Sequence, residues 1–336
     1  MHVSLSPIPS GAEASAPERF AIPCLPMARH RLHLRAETPV RLPAYAGSAW
    51  RGVLGHALKR TVCVTREPYC PTCLLYRSCV YPYVFETPPP PDTAKLRKYP
   101  AAPHPFVVEP WPDCREVAPG EAFGVDLVLI GRGRTQLPYF IEALRRAGET
   151  GVGAGAATGA GRYVLEAVAQ QSAGDWVEIY RPGAGLEAMH EPTAAPPPVP
   201  TGGTLQIVLL TPLRLKVENG LVTADRLRFR DFFSHLLRRV SLLSYFHTDT
   251  ALETNFRALV QAADAIEWQA ADLRWQDWTR YSSRQDALLQ MGGLVGTLTL
   301  PAAGLAPFWP YLWLGQWAHV GKGAVMGLGH YRLSAD

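Results

Sequence analysis

The stretch GKGAVMGLGHYRL (321–333) packs four glycines, a lysine, a histidine and a tyrosine–arginine pair into thirteen residues. It has an upstream counterpart, GVGAGAATGAGRYVL (151–165). Gly321, Gly323, Gly327 and Gly329 follow Gly153, Gly155, Gly159 and Gly161 by one offset (321 − 153 = 168). Tyr331 and Leu333 keep that offset from Tyr163 and Leu165. Self-similarity at a fixed spacing makes one half of the chain a template for the other.

The pattern extends outward from both loops. Each follows a helical stretch, LPYFIEALRRAGE (137–149) or APFWPYLWLGQWAH (306–319), and each precedes a short strand. RHRLHLRAE (29–37) alternates as a strand does. SAWRGVLGHALKR (48–60) follows as a helix, with Ser48 expected at its cap. In the second half, LQIVLLTPLRLKV (205–217) is a strand region, and FRDFFSHLLRRVSLLSYF (229–246) has the apolar spacing of a helix. Leu252, Phe256, Leu259 and Val260 predict a further helix. GVDLVLIG (124–131) and GGLVGTLTL (292–300) are strands preceding the last helix of each half. Strand, helix, strands, helix, loop and strand thus occur twice. The expected fold is α+β, with two tandem ferredoxin-like (RRM-like, βαββαβ) domains. Residues 1–27 read as a flexible tail, 28–190 as the first domain, 191–203 as a proline-rich linker (EPTAAPPPVPTGG) and 204–336 as the second domain. A second proline run, Pro88–Pro91, interrupts the first half.

A length of 336 residues suits two domains, and a hydrophobic fraction of 47% suits real cores. The formal charge of +4 is mild, so any polyanion partner must be met by a local patch. No apolar run reaches the roughly 18 residues of a membrane span. The first twenty residues lack the charged head and apolar centre of a signal peptide. A cytoplasmic protein without a membrane partner is expected, and its six cysteines are not expected to form disulfides.

Cys63, Cys70, Cys73 and Cys79 follow a C-x6-C-x2-C-x5-C spacing. Four thiolates this close can wrap one tetrahedral ion, and a structural zinc in a knuckle over 63–79 is the first expectation. An iron–sulfur cluster is the alternative, and four reduced thiols without metal the third reading. Cys24 and Cys114 lie outside the group.

Glycine permits close backbone approach and positive φ, and runs of amides in such loops make anion-binding concavities. The first loop is poor in charge and reads as a tight connection. The second carries Lys322, flanked by His319, His330 and Arg332, and reads as a contact for RNA phosphates. Arg226, Arg228, Arg230, Arg238 and Arg239 cluster around one helix, and arginine both chelates phosphate and stacks on bases.

The tail HVGKGAVMGLGHYRL, with SAWRGVLGHALKR, the cysteine group, LTPLRLKVENG (210–220), and GGLVGTLTL leading to LGQWAHVGKG, resembles a known family. The likeness covers most of residues 29–333 and is to the CRISPR-associated RAMP endoribonucleases that process precursor CRISPR RNA. It implies tandem ferredoxin-like domains and metal-independent attack of a 2′-hydroxyl within a CRISPR repeat. The products would carry 2′,3′-cyclic phosphate and 5′-hydroxyl ends, and no cofactor would enter the chemistry. The implied partners are CRISPR repeat RNA, the retained crRNA and other CRISPR effector subunits. A non-catalytic repeat-RNA-binding subunit is the alternative.

Such a reaction needs a base for the 2′-hydroxyl, positive charge for the phosphorane and an acid for the leaving oxygen. On the wheel of the first helix, His56 and Lys59 share the polar side with Gly52 and Gly55, which leave room for a ligand. In several relatives a histidine in or near this helix is catalytic. His56 is therefore the expected base and Lys59 the cation. Tyr45, just ahead of the helix, is expected to orient or donate, and His247 and His319 are the rival bases.

Overall fold

The computed structural model describes residues 20–96, 101–112, 114–187, 196–218, 220–282 and 287–335. The first half runs β1 (Met27–Ala36), α1 (Gly47–Val62), β2 (Phe106–Pro110), β3 (Ala122–Ile130), α2 (Leu137–Thr150), β4 (Tyr163–Ser172), β5 (Asp175–Arg181) and β6 (Gly185–Leu186). The second runs β7 (Thr204–Leu213), α3 (Phe229–His247), α4 (Phe256–Ala263), β8 (Ala270–Gln276), β9 (Thr279–Ser282), β10 (Ala287–Gln290), β11 (Gly293–Pro301), α5 (Trp309–Ala318) and β12 (Tyr331–Ala335).

The first sheet has the order β2-β3-β1-β4-β5-β6 and the second β8-β11-β7-β12, all pairings antiparallel. Counted within its own half, each core sheet therefore runs 2-3-1-4. In β1, Leu32 and Leu34 turn inward while Arg31, His33 and Arg35 stay at least partly open, as a half-buried strand requires. Trp50, Leu54, Ala57 and Leu58 of α1 join Phe140, Ala143 and Leu144 of α2 over that inward face. The helix α1 starts at Gly47, with Ala46 as its cap residue. Ser48 is thus inside the first turn, which corrects the expected cap. Further on, Leu252 precedes α4, whose start is capped by Asn255 Oδ1 accepting from Ala258 N (3.0 Å).

The duplication extends to the backbone. Gly155 and Gly323 have φ of 78° and 80°, and Gly159 and Gly327 have 90° and 88°. The Tyr163 hydroxyl donates to Leu144 O (2.9 Å), and the Tyr331 hydroxyl to Leu312 O (2.7 Å), again 168 positions apart (312 − 144).

The halves share a core. Met27, Val107, Val128 and Ile130, on the outward face of the first sheet, are buried among second-half residues. Leu25 is buried there too, Phe20 packs against the same core, and Ala21 O accepts from the Tyr311 hydroxyl (3.1 Å). The end of the expected tail is therefore structured, while residues 1–19 lie outside the described residues. Of the expected linker, 196–203 are described, and Pro197 O accepts from Trp309 Nε1 (2.6 Å).

Candidate nucleic-acid interface

The second glycine loop is closed on its own chain. Gly327 has φ 88°, and a Cβ there would sit 2.5 Å from Val108 O and 2.8 Å from the Tyr45 hydroxyl. A Cβ on Gly329 would overlap Val320 O, and Gly321 and Gly323 face Arg214 O and Leu328 in the same way. The amides are largely committed as well: Lys322 N donates to Arg214 O, Gly329 N to Pro212 O, and Met326, Gly327 and Leu328 bond within the loop. The Cβ direction of all four glycines is thus filled by the chain itself, while Gly321 and Gly323 stay partly exposed. The Lys322 and Arg332 side chains are exposed beside the loop, within reach of a phosphate.

His319 and His330 differ from expectation. His319 has φ 57°, where its counterpart in the first half is Gly151 with φ 89°. That left-handed backbone places a fully buried ring whose Nε2 lies 2.8 Å from Glu109 Oε1 on β2. His319 cannot reach RNA or act as a base, because protein encloses it. The His330 ring stacks on it (centroids 4.5 Å apart, 8° between planes), with 22% of its side chain exposed. Burial, aided by neighbouring His319, lowers the His330 pKa to about 3. Arg29 from β1 holds Glu109 with Nε at 2.8 Å and Nη2 at 3.0 Å, and Nη2 also donates to Gln316 O. Burial alone would raise the Glu109 carboxyl, but Arg29 and then His319 override it and hold the carboxyl far below the ordinary range. The ligand atoms of Glu109, His319 and His330 lie within 4.8 Å of one another. Arg29 already spans both carboxylate oxygens, so the cluster is neutralised from within and ties the halves together. Glu109 was not singled out from sequence; its signal is a lone acid inside the apolar strand FVVEP.

On α1, His56 is exposed. Gly52 opens to solvent, but Gly55 is covered by the Phe85 ring, so the expected ligand space at Gly55 is filled. The Lys59 Nζ donates to Pro68 O (3.0 Å) and lies 5.6 Å from the Tyr81 ring centre. Tyr45 donates to Met326 O (2.8 Å) and packs against Trp278 with ring centres 4.8 Å apart at a 44° tilt, so it anchors the second glycine loop to the first half. Burial pushes its hydroxyl well above the ordinary phenol range. His247 is buried between Pro103 O (2.7 Å) and the Tyr83 hydroxyl (3.3 Å), and burial lowers its pKa to about 4; it is no accessible base. One further histidine emerges: His104, with Nδ1 at 2.7 Å from Thr87 Oγ1 and Nε2 at 3.4 Å from Arg51 on α1.

The five arginines divide. Arg226, Arg228 and Arg230 line one open cleft with Glu218, Asp225 and Asp231. Arg230 pairs with Asp264 (3.0 Å), and Arg226 lies 3.9 Å from Glu218. Arg238 is exposed on α3. Arg239 points inward and donates through Nε to Ala318 O, and burial lowers its pKa to about 10. Arg239 is therefore an internal brace, which corrects its assignment to RNA.

Cys63, Cys70, Cys73 and Cys79 line one small cavity, together with Lys59, Thr65 and Tyr76. The Thr65 hydroxyl lies 3.3 Å from Cys73 Sγ and 4.0 Å from Cys63 Sγ. The spacing does bring the four thiols to one place, though no three sulfurs approach within 4.8 Å of one another.

A family model described only as an N-terminal domain matches residues 25–193, and the model for the CRISPR-associated endoribonuclease Cas6 matches residues 207–331. None of the curated proteins matches the chain in sequence. Among solved structures, a Cas6 product complex is 17% identical with a TM-score of 0.55, covering 92% of this chain and 100% of that one. Thermus thermophilus Cas6 is 14% identical with a TM-score of 0.50, covering 93% and 99%. A partial Cas6-RT-Cas1–Cas2 complex is 15% identical with a TM-score of 0.53; it aligns with 93% of this chain, which spans 46% of that one. At these identities the structures speak for the fold, and the sequence models for descent. The two models adjoin within one duplicated chain: residues 207–331 match the CRISPR-associated Cas6 endoribonuclease family, and the fold of the whole chain is that of solved Cas6 proteins.

Proposed function

We propose that this protein cleaves precursor CRISPR RNA within its repeats and keeps the resulting crRNA. The observation that carries the reading is the likeness of the whole duplicated fold to a Cas6 product complex, together with the endoribonuclease model over residues 207–331. Both halves are read as ferredoxin-like units. The 2′-hydroxyl attacks the adjacent phosphate, the 5′-oxygen leaves, and the ends are a 2′,3′-cyclic phosphate and a 5′-hydroxyl. No metal is needed, because the nucleophile belongs to the RNA.

His56 is the proposed base. It is the exposed histidine on α1, whereas His30, His247 and His319 are buried. Lys59 can serve the phosphorane only by leaving Pro68 O, so its first role is at the cysteine loop. Lys322, Arg332 and the Arg226–Arg228–Arg230 cleft supply phosphate contacts, which steer and position rather than specify. Repeat RNA, and other CRISPR subunits of the kind seen in the Cas6-RT-Cas1–Cas2 complex, are the proposed partners.

Cys63, Cys70, Cys73 and Cys79 are proposed to hold a structural zinc. The donor chemistry fits, four thiols lining one cavity, and the ion would draw the sulfurs together. The ion would fix the fold of the 63–79 loop and take no part in cleavage.

The test uses cognate repeat RNA and a version with a 2′-deoxynucleotide just upstream of the scissile phosphate. The wild type should cut the first in EDTA and leave the second intact. His56→Ala should bind normally and cut about 10²-fold more slowly or worse, the usual worth of a positioned base. Cleavage of the deoxy substrate would sink the mechanism. Tight binding without any cleavage would favour a non-catalytic RNA-binding subunit.

A further inference from the structure

β8 is the outer strand of the second sheet: it bonds β11 on one side, and no strand among the described residues covers the other. Six of its seven residues are exposed and only Leu273 is partly buried. The remaining sheet edges are closed in other ways. β2 is buried, β6 is two residues long, and β12 has only five residues. A regular, exposed edge presents backbone donors and acceptors to any second strand, so soluble proteins either blunt it or pair it.

The sequence of β8, AADLRWQ, complements itself in one antiparallel register. With Leu273 at the centre, Asp272 stands directly opposite Arg274 of a second copy, and symmetry repeats the pair. On the other face Trp275, 40% exposed, lies opposite Ala271, a large ring over a small side chain. Shifting the centre to Asp272 or to Arg274 keeps every side chain on its face but sets like charges opposite one another. Directly opposed unlike charges stabilise a strand pair and like charges destabilise it. Asp272 and Arg274 are both exposed.

From this we infer that β8 pairs antiparallel with β8 of a second copy about a twofold axis through Leu273, joining two four-stranded sheets into one of eight strands. The interface is isologous, as closed dimers require. It is built from a single strand on each side, so the dimer is weak and concentration-dependent. The inference stands apart from RNA processing.

Sedimentation velocity from low to high micromolar protein tests it. The wild type should shift from monomer to dimer, and high salt should weaken the shift. Asp272→Arg or Arg274→Asp alone sets like charges opposite twice, and each should raise the dimer dissociation constant about tenfold or more. The two variants mixed in equal amounts should recover the dimer, because each then offers the other its missing charge. That recovery also shows both variants are folded. A wild type that stays monomeric at high micromolar concentration overturns the inference. So do single variants that dimerise as the wild type does, and so does a mixture that remains monomeric.

Discussion

Glu109→Gln tests whether the buried cluster joins the two halves. Glutamine keeps the shape of the side chain and removes its charge. Arg29 then loses its two carboxylate contacts (2.8 and 3.0 Å) and retains Gln171 and Gln316 O. Both partners are largely buried, so water cannot take over. Removing one side of such a pair costs about 3–5 kcal/mol, and the low end applies because glutamine still accepts a hydrogen bond. Unfolding entropy of about 2.1 cal/mol/K per residue, over 336 residues, makes about 3 kcal/mol worth a Tm drop of about 4 °C. Thermal melts by circular dichroism at pH 7.5 read this directly. Glu178→Gln, which breaks an exposed pair with Arg181, is the control and should melt with the wild type. The folded Glu109 pKa is depressed, so its contribution is full above the ordinary carboxylate value of about 4.3 and fades as pH falls towards the folded value. The gap between variant and wild type should therefore narrow below about pH 4. A Glu109→Gln protein that melts within about 1 °C of the wild type at pH 7.5, against the expected loss, refutes the reasoning.

Acid should destabilise the protein between pH 6.5 and 4. Burial lowers His30 and His247 to about 4, so the unfolded chain takes up their protons first and stability falls with pH, by about 1.4 kcal/mol per unit for each; His30→Gln should flatten the slope measured by denaturant titration. Gly327→Val forces a Cβ onto Val108 O and the Tyr45 hydroxyl, so soluble yield and Tm should fall together with RNA binding. Lys322→Ala should instead leave Tm unchanged while reducing the salt slope of RNA binding by about one unit. Cys70→Ser should lower the metal content found by elemental analysis and unfold the 63–79 loop under limited proteolysis; a wild type purified with neither zinc nor iron would discard the metal.

The sequence by itself determined the duplication. Glycines at left-handed turns and tyrosines that close onto a helix carbonyl are forced by local geometry, so both copies keep them at one spacing, and the helices and strands between follow from apolar periodicity. The cysteines were legible as a group for the same reason: they are near neighbours along the chain. Only the tertiary structure decided which polar residues are free. His319, Arg239 and His247 carry the same side chains as any surface ligand, and nothing in their neighbourhood along the chain says that distant segments will enclose them. Their partners, Glu109, Ala318 O and Tyr83, lie 210, 79 and 164 positions away. Burial depends on such distant contacts, and burial sets both accessibility and charge state. That is why Glu109 escaped the sequence reading, and why Tyr45, expected beside the reacting groups, serves instead to hold the second glycine loop against the first half.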